Sequence, residues 1–145
     1  MPFALDFQMN EWLSDSEPPA GFSGTWVRNQ PGAPRSEIEY VDGVPNGRVR
    51  RWSRDCRLLF EGHVKDGLWH GALTHWGANG DVLDVSRFDH GTGIYRIYSS
   101  SGKLAQEISL RAGKRDGITR RWNGLRELVS VERYWDGNLI DSPDE

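Results

Sequence analysis

Apolar residues recur along this chain at a fixed, even spacing. Tyr40, Val64, Phe88, Leu110 and Tyr134 form one column, and Pro34, Leu58, Val82, Leu104 and Leu128 form another six residues ahead of it. An even separation keeps both columns on one face of a strand, whereas a helix would rotate them apart. Glycines punctuate the same period. Gly43, Gly67, Gly91, Gly113 and Gly137 follow one another at 24, 24, 22 and 24 residues. Gly47, Gly71, Gly93 and Gly117 make a second column, and Trp52, Trp76, Tyr98 and Trp122 follow it by five. A third set of turn glycines is Gly80, Gly102 and Gly124.

Glycines this frequent would each weaken a helix by about 1 kcal/mol. Asp42-Gly43, Asp66-Gly67, Asn79-Gly80 and Asp136-Gly137 are dipeptides open to positive φ, the signature of hairpin turns. The pattern predicts two strands per unit and about five units. The first is degenerate, starting at Gly24-Thr25-Trp26 and turning at Gln30-Pro31-Gly32, with Pro31 and Pro34 in its loop. The third is short, Gly91-Thr92-Gly93 standing against Gly67-Leu68-Trp69-His70-Gly71. The predicted fold is all-β: an elongated antiparallel meander of β-hairpin repeats in one twisted sheet. Residues 1–20 form an N-terminal cap or extension, 21–140 the repeat domain and 141–145 an acidic tail. Phe3, Leu5, Phe7 and Met9 alternate with polar or small residues, which favours an extra strand covering the first hairpin over a docking arm.

The unit Asp-Gly-x3-Gly-x4-Trp/Tyr, then x3-Gly-x-Leu, resembles MORN-type repeats. It is closer to the degenerate MORN variants of bacterial antitoxin or immunity proteins of the YwqK-like type. The matching stretches are Asp66-Gly67 to Leu83, with Trp76 and Gly80, and Gly91 to Leu104, with Tyr98 and Gly102. Tryptophan at the strand aromatic position departs from the commoner tyrosine. The resemblance covers roughly residues 43–137 and implies a hairpin array that binds a protein, the cognate toxin. The alternative it implies is a MORN-like scaffold or anionic-lipid contact module.

The net charge of −3 is unevenly spread. Eight of the 21 acidic residues lie in segments 1–20 and 136–145, which carry no base; residues 21–135 keep 13 against all 18 bases, a net of +5. Fifteen of those bases are arginine, the better partner for carboxylate or phosphate. Arg48, Arg50, Arg51, Arg54 and Arg57 crowd one hairpin. Glu37, Glu61 and Glu107 share a column, as do Arg50, Arg96 and Arg120, so ion pairing between strands is favoured over partner contact, and nucleic acid is disfavoured further. Strict alternation puts Arg50 with Trp52, Arg96 with Tyr98 and Arg120 with Trp122 on one face. Arginine packed over the aromatic is preferred to a bulge that shifts the register.

Candidate partner-binding residues are therefore Arg50, Trp69, His70, Trp76, Arg96, Arg120 and Trp122. Trp69, in a turn, is either tucked against a neighbour or offered as an anchor. Trp135 is placed to close the open end of the array. The four histidines show no recognised metal-binding spacing, no catalytic order stands out, and no cofactor is expected. A single cysteine, Cys56, allows no intrachain disulfide. With no signal-peptide pattern and no apolar run of membrane-span length, the reading is a cytoplasmic protein, not an enzyme, that does not contact membranes. It is a monomer or an edge-paired dimer.

Overall fold

A computed structural model describes residues 18–29, 35–99 and 101–141, with the side chain of Asp141 left aside. The expected strand at Phe3–Met9, the Pro31–Pro34 loop and residues 142–145 of the acidic tail lie outside these. The described chain is all-β. Its strands are β1 (Gly24–Arg28), β2 (Arg35–Val41), β3 (Val44–Trp52), β4 (Leu58–Lys65), β5 (Leu68–Trp69), β6 (Gly71–Trp76), β7 (Val82–Phe88), β8 (Gly93–Tyr98), β9 (Leu104–Arg111), β10 (Lys114–Trp122), β11 (Leu128–Trp135) and β12 (Asn138–Asp141).

The strands form an antiparallel meander in two sheets, β1-β2-β3-β4-β6-β7 with β5 alongside β4, and β8 to β12. Turns alternate along it. At one edge Asp42-Gly43, Asp66-Gly67, His90-Gly91, Ala112-Gly113 and Asp136-Gly137 all have positive φ at both residues, the type I′ geometry that matches strand twist. At the other edge the described residues include four like loops: 53–57, 77–81, 123–127 and the one closed by Ser99, Gly102 and Lys103. Each closes through two backbone bonds, as in Gly77 N–H to Asp81 O and Gly80 N–H to Gly77 O. The left-handed position in these loops belongs to Cys56, Gly80, Gly102 and Arg126. Gly124 is therefore not the counterpart of Gly80; Arg126 is. A side chain there costs on the order of 1 kcal/mol. Cys56→Gly and Arg126→Gly should each raise stability by about 0.5–1 kcal/mol in urea unfolding, since both side chains are exposed.

In the second glycine column, Gly47 and Gly117 fall where the pairing register shifts. Gly47, Gly71, Gly93 and Gly117 pair with Val64, Phe88, Leu110 and Tyr134, the apolar column, while a Cβ on Gly47 would meet Glu39 and one on Gly117 would meet Ser109, each on the strand to the other side. A Cβ on Gly93 would lie 2.6 Å from the Phe88 ring.

Units are joined along the tight-turn edge by a backbone seam. Gly43 N–H donates to Phe22 O, Gly67 to Pro45 O, Gly91 to Trp69 O, Gly113 to Gly91 O and Gly137 to Arg115 O. In three of these the acceptor lies two residues beyond the previous turn glycine; Gly113 instead reaches Gly91 itself, because the third unit lacks two residues there. A second strand of the seam uses side chains. Asp42 N–H donates to Ser23 Oγ, His90 N–H to His70 Nδ1 and Ala112 N–H to Thr92 Oγ1.

The same shortening divides the expected single sheet. After the 66–67 turn, Leu68 and Trp69 pair with Lys65 and Val64. After the 90–91 turn the corresponding residues are missing, and among the described residues the Asp89–Thr92 bridge is the only backbone pairing between the end of β7 and the start of β8. The core runs along the array through Ile38, Tyr40, Val49, Phe60, Val64, Trp69, Leu73, Phe88, Tyr95, Ile108 and Leu110. Trp69 spans the division: it meets Phe60 and Phe88 of the first sheet and stacks on Tyr95 of the second, centroids 5.8 Å apart.

Candidate protein-binding surface

The glutamate and arginine columns meet in one cross-strand row. Glu37 pairs with Arg50, Arg50 with Glu61 and Glu61 with Thr74; in the second sheet Arg96 pairs with Glu107 and Glu107 with Arg120. Arg50 Nε lies 3.0 Å from Glu61 Oε2, although its N–H finds no acceptor in hydrogen-bond geometry; this is a charge pair only. Arg120 Nη1 stands 3.9 Å from Glu107 Oε1. Arg96 is held most firmly. Its Nε donates to Glu107 Oε2 at 2.9 Å, and its Nη1 crosses the sheet division to Ser86 Oγ at 3.1 Å and Asp84 Oδ2 at 3.4 Å. Burial works against that charge; the Glu107 hydrogen bond and the Asp84 and Glu107 carboxylates overcome it, so the pKa stands above its ordinary value. The strand-pairing reading describes these three arginines. Arg96→Glu would damage the junction between sheets, so it cannot serve as a clean probe of binding.

Around Arg96 the division collects His75, Asp84, Ser86 and Tyr98. Burial, then the Asp84 charge, raises the Tyr98 hydroxyl. The His75 ring packs 5.1 Å from both Phe60 and Tyr98, and its Nδ1 has no partner among the described residues. Burial pushes His75 down to about 4 from 6.5, against the pull of Asp84. Its folded pKa is depressed, so the unfolded chain binds the extra proton between those values. Stability is then complete above about pH 6.5 and falls as pH drops toward 4, by on the order of 3 kcal/mol at most. Thermal melts of His75→Leu across that window should show a shallower loss than the parent.

The aromatic column takes the bulge and not the arginine stack. Register shifts fall at Trp52, Trp76, Tyr98 and Trp122, so strict alternation ends one residue before each. Arginine does cover aromatics, but from neighbouring strands: Arg35 over Trp52 at 5.1 Å and Arg115 over Tyr134 at 5.0 Å. Trp76 and Trp122 are half-buried. Trp69 is tucked, at 1% exposure, and so is corrected from interface anchor to core. The seven candidates therefore do not make one exposed patch.

The surface that stands open is the last hairpin. Trp135 is 62% exposed, Leu139 53% and Ile140 59%, and Leu125, Leu128 and Val129 are exposed beside them in sequence. Trp135 does not close the array. On the basic hairpin, Arg50 is engaged by Glu61 and Arg57 by Asp55 and the Ala78 carbonyl, which leaves those two little to offer a phosphate backbone.

One cluster escaped the sequence spacing. Asp89 and His90 lie beside His70, which is 20 residues from His90 in the chain. His90 Nδ1 is 2.6 Å from Asp89 Oδ1, His70 Nδ1 is 4.0 Å from the same oxygen, and one ligand atom from each residue falls within 4.8 Å of the others. No helix among the described residues is long and apolar enough to cross a membrane. No family model matches the chain, and no curated protein matches it significantly.

Proposed function

We propose that this chain is a non-catalytic repeat protein that binds another protein, and that the partner is a toxin it neutralises in the cytoplasm, as an antitoxin or immunity protein does. The observation that carries the binding reading is the open terminal hairpin. Trp135, Leu139 and Ile140 are exposed on or beside an edge strand. Exposed edge strands invite pairing with another chain, and a large aromatic is the commonest anchor of an interface. The word antitoxin rests on the MORN-variant resemblance.

Co-expression with the product of an adjacent open reading frame tests this. A product toxic alone should be tolerated beside this protein and should co-purify with it. Trp135→Ser with Leu139→Lys should abolish both effects while leaving the melting temperature near that of the parent. Protection that survives this variant would move the contact elsewhere. An adjacent product that is neither toxic nor bound would remove the antitoxin reading, and binding to anionic vesicles in its place would favour the scaffold.

A further inference from the structure

We propose that His70, Asp89 and His90 form a binding site for a divalent transition-metal ion of the zinc, nickel and copper class. Imidazole suits these borderline ions, and a carboxylate completes a three-ligand set with positions left for water. Donors around such an ion, each about 2.0–2.2 Å from it, stand about 3.3 Å from one another. The present separations, 2.6 Å for His90 Nδ1 to Asp89 Oδ1 and 4.0 Å for His70 Nδ1 to the same oxygen, bracket that value. All three side chains reach solvent, so modest rotations bring them onto one ion.

The backbone beneath them is already fixed. Gly91 N–H donates to Trp69 O at 2.7 Å, and His70 N–H donates to His63 O at 2.9 Å. The ring centroids of His70 and His90 are consequently 4.4 Å apart. The competing role for His70 is also visible, since its Nδ1 takes the His90 N–H where Ser23 and Thr92 serve two other tight turns, at Asp42 and Ala112, with hydroxyls. A hydroxyl would serve that role alone; an imidazole at His70 facing a second imidazole adds ligand chemistry. The bound ion would replace this hydrogen bond and clamp the second hairpin to the third beside the sheet division.

The test is titration of the full chain, free of any affinity tag, with zinc chloride and separately nickel chloride by calorimetry. One saturable site per chain is expected, with a rise in melting temperature when it is filled. His70→Gln keeps an acceptor for the His90 N–H, and His90→Asn keeps a residue that tolerates the turn's φ of 48°. Each should weaken binding roughly tenfold or more. Cys56→Ser, which removes the chain's one thiol ligand, should leave it unchanged. In the parent protein, metal should shift the imidazole resonances of His70 and His90 ahead of those of His63 and His75. Absence of saturable binding, affinity unchanged in His70→Gln and His90→Asn, loss of the site in Cys56→Ser, or undisturbed His70 and His90 resonances would each overturn the proposal.

Discussion

Gly91→Ala should be among the most damaging single-methyl changes in the chain. Gly91 has φ 85°, where an L side chain costs about 1–2 kcal/mol. The added Cβ would also lie 2.5 Å from Gly113 N and 3.0 Å from the Ala112 carbonyl carbon. These are backbone atoms and cannot rotate away. They are fixed on both sides, by Gly113 N–H to Gly91 O at 3.1 Å and Gly91 N–H to Trp69 O at 2.7 Å. The loss should reach about 3 kcal/mol or more, near 10 °C in melting temperature for a domain of this size. Gly80→Ala is the matched control. Its φ is 88°, but nothing lies within 4 Å of the new Cβ, so only the backbone strain of about 1 kcal/mol remains. Equal losses from the two changes would mean that the tight turns do not stack.

Trp69→Ala should cost about 3–5 kcal/mol, the range for a large aromatic removed from a packed core. The side chain is 1% exposed and touches rings from both sheets, so the cavity would open where backbone pairing is already thinnest. Trp69→Phe should cost much less. The indole N–H has no acceptor among the described residues, so no hydrogen bond is lost with it. Chemical denaturation of both variants checks the ordering. A Trp69→Ala protein as stable as the parent would show that the stacking on Tyr95 does not hold the two sheets together.

Much of this architecture was legible in the sequence because the turn dipeptides recur at one period. Asp66-Gly67 demands a hairpin wherever it stands between alternating strands, and the structure places one there. What stayed hidden depends on neighbours in space. Arg126 looks like a surface arginine, yet it holds the left-handed position that Gly80 and Gly102 hold in sister loops. Trp69 and Trp76 are the same residue type in one unit, and only pairing to Val64 puts the first in the core. His70 and His90 meet only because successive tight turns stack. The pattern predicted about five units in one sheet and showed the third to be short; that the two residues missing after Gly91 divide the sheet became apparent only in three dimensions.

Amide hydrogen exchange in the free protein tests the stacked-hairpin architecture most directly. The N–H groups of Gly43, Gly67, Gly91, Gly113 and Gly137 each donate across units, so all five should exchange slowly, far more slowly than the N–H groups of Gly80 and Gly102, whose bonds stay within exposed loops. Fast exchange at the five tight-turn glycines, at the rate of the loop glycines, would contradict the seam and with it the rigid surface on which partner binding is proposed.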